Sequence, residues 1–328
     1  MLATGMADTG KEVAMRRIAC LVLLLVALGS PAAIAQPMAY ASDEGAGAVS
    51  AIDTATDKVV ATIETGGKPR GIAASHDGKR VYVSDQTANG LAVIDVATRA
   101  VAKRVPLGNS PEGIYLSADG RWLSAAIEEN NQVVIVDTAT LAIAKRITTK
   151  GKNPEHAVFS PDGKWLYVSA EEADSVDIID VARGEVVKSI PVGDRPRGIG
   201  FLPDGTRAYV GVEQANLVAV IDVASQTLVT KIKAGVRSNG VAVHPDGKHV
   251  YVSAGGDGTV QVIDTATNTI STTIPVGKRP WNMALTPDGR KLYVACGRSN
   301  AVAVIDTQSN AKIADVAVGQ LPWGVAIP

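Results

Sequence analysis

From residue 239 to residue 276 the chain reads NGVAVHPDGKHVYVSAGGDGTVQVIDTATNTISTTIPV, one copy of a unit that spans most of the 328 residues. Four short strands can be read in it. Asn239–His244 leads through Pro245-Asp246-Gly247 into His249–Ala254, a Gly-rich loop leads to Val260–Asp264, and the Thr265–Asn268 turn leads to Thr269–Val276. Val241 and Val243 in the first strand, and Val260 and Val262 in the third, repeat at period two, as strands with a buried face do. Asp-Gly supplies the positive φ that a tight hairpin needs.

Working outward, the end of the third strand recurs as Asp53, Asp95, Asp137, Asp180, Asp222, Asp264 and Asp306, at spacings of 42, 42, 43, 42, 42 and 42 residues. Asp-Gly recurs at Asp77, Asp119, Asp162, Asp204, Asp246 and Asp288. A turn ends at Pro69, Pro111, Pro154, Pro196, Ser238, Pro280 and Pro322, and a further column is Tyr40, Tyr82, Ser124, Tyr167, Tyr209, Tyr251 and Tyr293. The seven aspartates read as Asx-turn residues that satisfy local backbone donors, not as a catalytic array. A four-stranded unit of about 40–45 residues is a propeller blade. The chain ends inside a first strand (Trp323–Ile327), and the repeats begin at a second strand (Met38–Glu44). The expected fold is therefore all-β: a seven-bladed β-propeller, closed by pairing the C-terminal strand with the N-terminal three, which leaves no open edge.

Composition agrees. Gly (32) and Pro (16) are plentiful and aromatics make up only 4%, the profile of many short strands and tight turns. A formal net charge of -1 argues against nucleic acid as a partner, because phosphate binding needs a concentrated basic surface. Arg16 and Arg17 precede the apolar run Ile18–Leu28, and Ala33-Ile34-Ala35 follows as a small-x-small cleavage site. This is the layout of an export signal, too short to span a bilayer. Residues 1–35 thus read as an N-terminal extension and signal peptide cleaved after Ala35, and residues 36–328 as the propeller. Met15 stands directly before the arginines, which makes residues 1–14 an upstream extension. The expected product is periplasmic or secreted, without a membrane anchor, and monomeric. It keeps one cysteine, Cys296, and has no Cys-x-x-Cys-His for covalent haem.

Tyr82-Val83-Ser84, Tyr167-Val168-Ser169 and Tyr251-Val252-Ser253, with the Ser160-Pro161-Asp162-Gly163 turn, resemble the YVTN family of β-propeller repeats. Seven such units behind an export signal are most similar to the β-propeller proteins associated with PQQ-dependent alcohol catabolism. The resemblance implies a protein working beside periplasmic quinoprotein dehydrogenases, with a dehydrogenase or cytochrome as partner, and carries over no catalytic residue. PQQ is not expected on this chain, which has neither the tryptophan-rich blade motif nor the vicinal cysteine pair of the dehydrogenases.

In a propeller, the loops entering the first strand and following the second share one face around the central channel. The residue after the Pro column reads Arg70, Glu112, Glu155, Arg197, Asn239, Trp281 and Trp323. The fourth residue after the Tyr column reads Glu44, Gln86, Glu128, Glu171, Glu213, Gly255 and Gly297. The single 43-residue spacing places one extra residue before Pro154, beside His156, where most repeats have Gly. Glu112, Glu128, Glu155, His156 and Glu171 therefore form a candidate ligand or divalent-cation site. Two carboxylates ~6 Å apart repel by ~3 kcal/mol at an effective dielectric of 20. Such a group needs a compensating charge or raised pKa values. Oxygen ligands favour Ca²⁺, and His156 favours a transition metal. The competing reading has Arg70 and Arg197 closing an Arg–Glu–Glu–Arg ion-pair arc. Trp281 and Trp323 are candidates for a stacking surface or for a hydrophobic plug. His76, His244 and His249 fall in turns, or at a strand start, at the opposite end.

Three functions remain open on these residues: a non-enzymatic binding or docking propeller without a cofactor of its own, a metal-dependent hydrolase of the lactonase type, and a non-covalent haem protein with His156 as axial ligand.

Overall fold

The computed structural model describes residues 37–328. Within them, 28 strands form seven four-stranded antiparallel sheets. In the unit quoted above the strands are Ser238–Val243, His249–Ala254, Thr259–Asp264 and Thr269–Pro275, within a residue of the boundaries read from the period-two pattern. We call the strands of each sheet a to d, from the axis outward. Blade I joins Met38–Asp43, Ala48–Asp53 and Lys58–Glu64 to the C-terminal strand Pro322–Ala326, and blades II to VII begin at Pro69, Pro111, Pro154, Pro196, Ser238 and Pro280. Tyr40 pairs with Ala326, Ala41 with Val325 and Ser42 with Gly324, so the expected closure is present. The expected leader, residues 1–35, and its expected cleavage after Ala35 lie outside the described residues. No helix among the described residues is long and apolar enough to cross a membrane.

The seven recurring aspartates are turn residues. Each accepts a backbone N–H two or three residues on, as Asp264 does from Ala266 and Thr267. The a-to-b turns place Gly78, Gly120, Gly163, Gly205, Gly247 and Gly289 at φ between 68° and 73°, where a side chain would be strained.

The core lies between the blades. Tyr82, Leu91 and Val93 of blade II pack with Ile114, Leu123 and Val134 of blade III, and the same contact repeats around the ring. Tyr209 and Tyr251 are buried against the next blade, and each donates its hydroxyl to the c-to-d turn there, to Asn268 (2.9 Å) and Asn310 (3.3 Å). One fully buried aliphatic side chain contributes about 1.5–3 kcal/mol, so each interface is held by many such terms. The outer d strands alternate exposed and half-buried residues, and Lys, Thr and Glu blunt their edges.

Candidate functional site

The backbone decides which side chains reach the mouth of the channel. In every blade the a strand pairs with b at the Pro column and then slips register, leaving the next residue out of the ladder. A bulge of this kind re-aims a side chain. The residues it frees are Arg70, Glu112, Glu155, Arg197, Asn239, Trp281 and Trp323, and all except Glu112 line a cavity of about 320 Å3. A serine two residues after the Tyr column fixes three of them from behind. The hydroxyls of Ser42, Ser84 and Ser253 donate to the backbone carbonyls of Arg70 (2.5 Å), Glu112 (2.7 Å) and Trp281 (2.7 Å) on the following blade. The anchor holds main chain and leaves the side chain to vary.

The two arginines named from sequence sit between the acids. Arg70 Nη1 lies 2.6 Å from Glu112 and Nη2 lies 3.3 Å from Glu44. Arg197 meets Glu155 (2.5 Å), Glu171 (3.2 Å) and Glu213 (2.8 Å). Glu112, Glu128 and Glu155 each bring one carboxylate oxygen within 4.8 Å of the others. Glu171 is outside that trio because its carboxylate turns to Arg195 and Arg197. Glu128 is held by neutral donors, Ser110 Oγ (2.7 Å) and Asn153 Nδ2 (3.2 Å).

Charge at the mouth follows burial and neighbours. Burial, with Glu155 nearby, pushes the Glu112 carboxyl well above the usual range against the pull of Arg70. Its Oε2 is buried with no hydrogen-bond partner. Burial also acts on Glu155, but Arg197, His156 and Arg70 outweigh it and hold that carboxyl below its ordinary value. Glu171 is pushed up to about 7, chiefly by burial. Glu213 is lowered, because Arg197 and Arg237 overcome its burial.

His156 is not at the mouth. It lies one residue further along the a strand of blade IV, fully buried, and its backbone N–H donates to Ser169 Oγ at 3.1 Å. Its Nδ1 is 2.5 Å from the Tyr115 hydroxyl, and its ring stacks on Trp323 with centroids 5.8 Å apart. Burial lowers its pKa to about 4, so it is neutral at physiological pH. It joins neither the carboxylate trio nor the cavity wall, because the position next to the bulge points into the packed channel. Trp323 is buried against it, whereas Trp281 is half-buried under the Arg279 guanidinium, 5.2 Å from the ring centroid. The extra residue before Pro154 makes a five-residue loop, Thr149–Asn153, whose Lys150 and Gly151 N–H groups donate to buried Asp177 (2.7 and 2.8 Å). The longer loop is thus tied down at Asp177, away from His156.

The sequence reading missed a second basic group. Arg195, Arg237 and Arg279 precede the Pro column in three consecutive repeats, and each has a positive φ (67°, 61° and 55°) that swings its side chain over the mouth. They converge with Arg197 on Glu213, which is 1% exposed, at 3.6 Å, 2.9 Å and 3.8 Å. Arg before that column in three successive units was the available signal. Arg279 has the weakest counterion, and burial together with Arg237 lowers its pKa. The arginine side of the mouth therefore extends onto the tryptophan arc.

The cavity wall is Arg70, Gln86, Glu128, Glu155, Glu171, Arg195, Arg197, Asn239, Arg279, Trp281 and Trp323, with no Ser, Thr, Cys or His among them. Carboxylates dominate on blades III and IV, guanidiniums on blades V to VII.

No curated protein matches the chain in sequence. Among solved structures, the chain resembles the Kuenenia stuttgartiensis hydrazine synthase, with a TM-score of 0.76 and 24% identity over 82% of this chain and 92% of that one. It also resembles a functionally unknown protein from Desulfotomaculum acetoxidans DSM 771, with a TM-score of 0.79 and 19% identity over 88% of this chain and 98% of that one. At these identities the likeness is one of fold alone. A YNCE-like β-propeller family model matches residues 27–121. The family model described as Lactonase, 7-bladed beta-propeller, matches residues 98–189 and 185–317, together more than half of the chain. With seven closed four-stranded blades already established, the chain belongs to that seven-bladed β-propeller family.

Proposed function

We propose that the protein is an exported binding propeller, without catalysis of its own, that receives a charged ligand or partner segment at the channel mouth. The reading rests chiefly on the cavity wall, which offers carboxylates, guanidiniums and two indoles but no nucleophile beside a base. Nearly every charge there already has a partner on the protein, the arrangement of a recognition surface more than of a reaction centre. The resemblance to propellers of PQQ-dependent alcohol catabolism supports a partner among exported quinoprotein dehydrogenases or their cytochromes, and the Arg16–Ala35 leader supports periplasmic or secreted delivery. The test is affinity capture from periplasm during growth on an alcohol. The wild-type chain should recover a dehydrogenase or cytochrome, and Trp281→Ala with Glu128→Gln should lose it. Equal recovery with both proteins, or none with either, sinks the proposal.

A second reading has one observation in its favour. Glu112, Glu128 and Glu155 lie close enough to share a cation, and Glu112 Oε2 has no partner. With the Lactonase family match, this supports a metal-dependent hydrolase in which the trio would hold the ion. Arg70 and Arg197 already bring two positive charges to the trio, which sets this reading second. Chelator-sensitive hydrolysis of a lactone, abolished by Glu155→Gln, would reverse the order.

A further inference from the structure

On the opposite end of the ring, the a-to-b turn of blade VI departs from the other turns at two places around one aspartate. In four blades a hydroxyl two residues before the turn Asp donates to it: Ser75 to Asp77 (2.7 Å), Ser117 to Asp119 (2.5 Å), Ser160 to Asp162 (2.7 Å) and Thr286 to Asp288 (2.6 Å). Blade VI has His244 there. The first residue of strand b is Arg80, Trp122, Trp165, Arg207 or Lys291 in blades II to V and VII, and in blade VI it is His249. Both replacements put an imidazole nitrogen on Asp246. His244 Nδ1 is 3.0 Å from Oδ1 and His249 Nδ1 is 2.9 Å from Oδ2.

We propose that His244, Asp246 and His249 form a binding site for a divalent transition-metal ion of the zinc type. The donor set is two imidazoles and one carboxylate, which with an open fourth position for water is a known zinc arrangement. All three donor atoms lie within 4.8 Å of one another. Bonds of about 2.0–2.1 Å set ligand-to-ligand edges of roughly 3.3 Å in a tetrahedron, so small side-chain rotations suffice.

The surroundings of His244 suit a ligand. Its Nε2 donates to the Gly289 carbonyl at 3.1 Å, which fixes the tautomer with the Nδ1 lone pair free, as an outer backbone carbonyl does for metal-bound histidines. A Cβ on Gly289 would come within 2.7 Å of that Nε2, so the bare glycine of blade VII makes the room. The Nδ1 lone pair now accepts a long 3.2 Å contact from the Asp246 N–H, which the ion would displace. The side chains are 19%, 32% and 39% exposed, open to an entering ion and its water. Two imidazoles select zinc, copper or nickel over the calcium and magnesium that carboxylates alone would favour.

Isothermal titration of ZnCl₂ into the metal-free mature chain tests this, with CaCl₂ as comparison. One equivalent of Zn²⁺ should bind, with Ca²⁺ at least a hundredfold weaker. His244→Ser and His249→Arg install what other blades carry at these positions, so both should fold with unchanged melting temperature and lose the zinc isotherm at least tenfold. Glu112→Gln with Glu155→Gln, at the channel mouth, should leave it intact. Zinc binding that survives His244→Ser, or disappears with the mouth variant, or fails to occur in the wild type, overturns the site.

Discussion

Arg197 is the clearest point at which to test whether the charged mouth holds itself together. Its guanidinium, 12% exposed, contacts three carboxylates. Arg197→Met keeps the stem and removes the charge. Glu171 and Glu213 retain Arg195, but Glu155, 5% exposed, loses its one direct ion pair and stays beside Glu112 and Glu128. Removing one partner from a buried pair costs about 3–5 kcal/mol, because the other charge is left desolvated. At about 2 °C per kcal/mol for a domain of this size, the melting temperature should fall by ~6–10 °C at pH 8. The pH dependence has a definite sign. In the wild type the Glu155 pKa is held below its unfolded value, so its stabilisation is present at neutral pH and fades as pH falls through the folded pKa. In the variant the largest opposing charge is gone, leaving burial against the weaker pull of His156 and Arg70, so that pKa rises and protonation at low pH relieves the penalty. The gap between the two proteins should therefore shrink from pH 8 to pH 5. Calorimetric melts at both pH values decide it, and a loss below ~2 °C at pH 8, or an equal loss at both, refutes the reasoning.

Three further outcomes follow from single features. Glu112 has a raised pKa, so its protonated form favours folding and that contribution is lost as pH rises through the folded value; Glu112→Gln should gain stability relative to wild type from pH 5 to pH 9, and a pH-independent difference would contradict this. Ser253→Ala removes the hydroxyl that holds the Trp281 carbonyl and should cost ~1–2 kcal/mol, read by urea denaturation, whereas the exposed Ser271 should tolerate Ala within 0.5 kcal/mol. Ending the chain at Gln320 deletes the strand that pairs with Met38–Asp43 and should yield aggregated protein by size-exclusion chromatography; a stable monomer would show that closure is dispensable.

The fold was legible because its signals are local and repeated. Asp-Gly turns, Asx turns and period-two valines each act within a few residues, and seven copies remove the ambiguity any one would leave. The mouth was half legible. Its columns gave Arg70, Glu112, Glu155 and Arg197, because a bulge at a fixed offset from proline projects them all. His156 was misread since one step along the same strand reverses the side chain, from cavity wall to packed channel. Arg195, Arg237 and Arg279 were missed because their reach depends on a left-handed backbone, rare for arginine, which only the loop geometry reveals.

The anchoring of the mouth also bears on why it is charged. The hydroxyls of Ser42, Ser84 and Ser253 hold carbonyls, not side chains, so the ring closes equally well over Arg70, Glu112 or Trp281. Blade VI carries Asn239 at the same bulge without any ion pair. A buried ion pair is weak evidence of stability, since neutral replacement of both partners often costs nothing although loss of one is expensive. At a pH high enough to ionise Glu112, Arg70→Asn alone should thus destabilise by about 3 kcal/mol, whereas Arg70→Asn with Glu112→Asn should recover most of that loss. If the pair exists for what enters the cavity, the double variant will fold like wild type and still lose its captured partner. If the double variant is as unstable as the single one, the charges belong to the scaffold, and recognition must be sought at Trp281 and Arg279 instead.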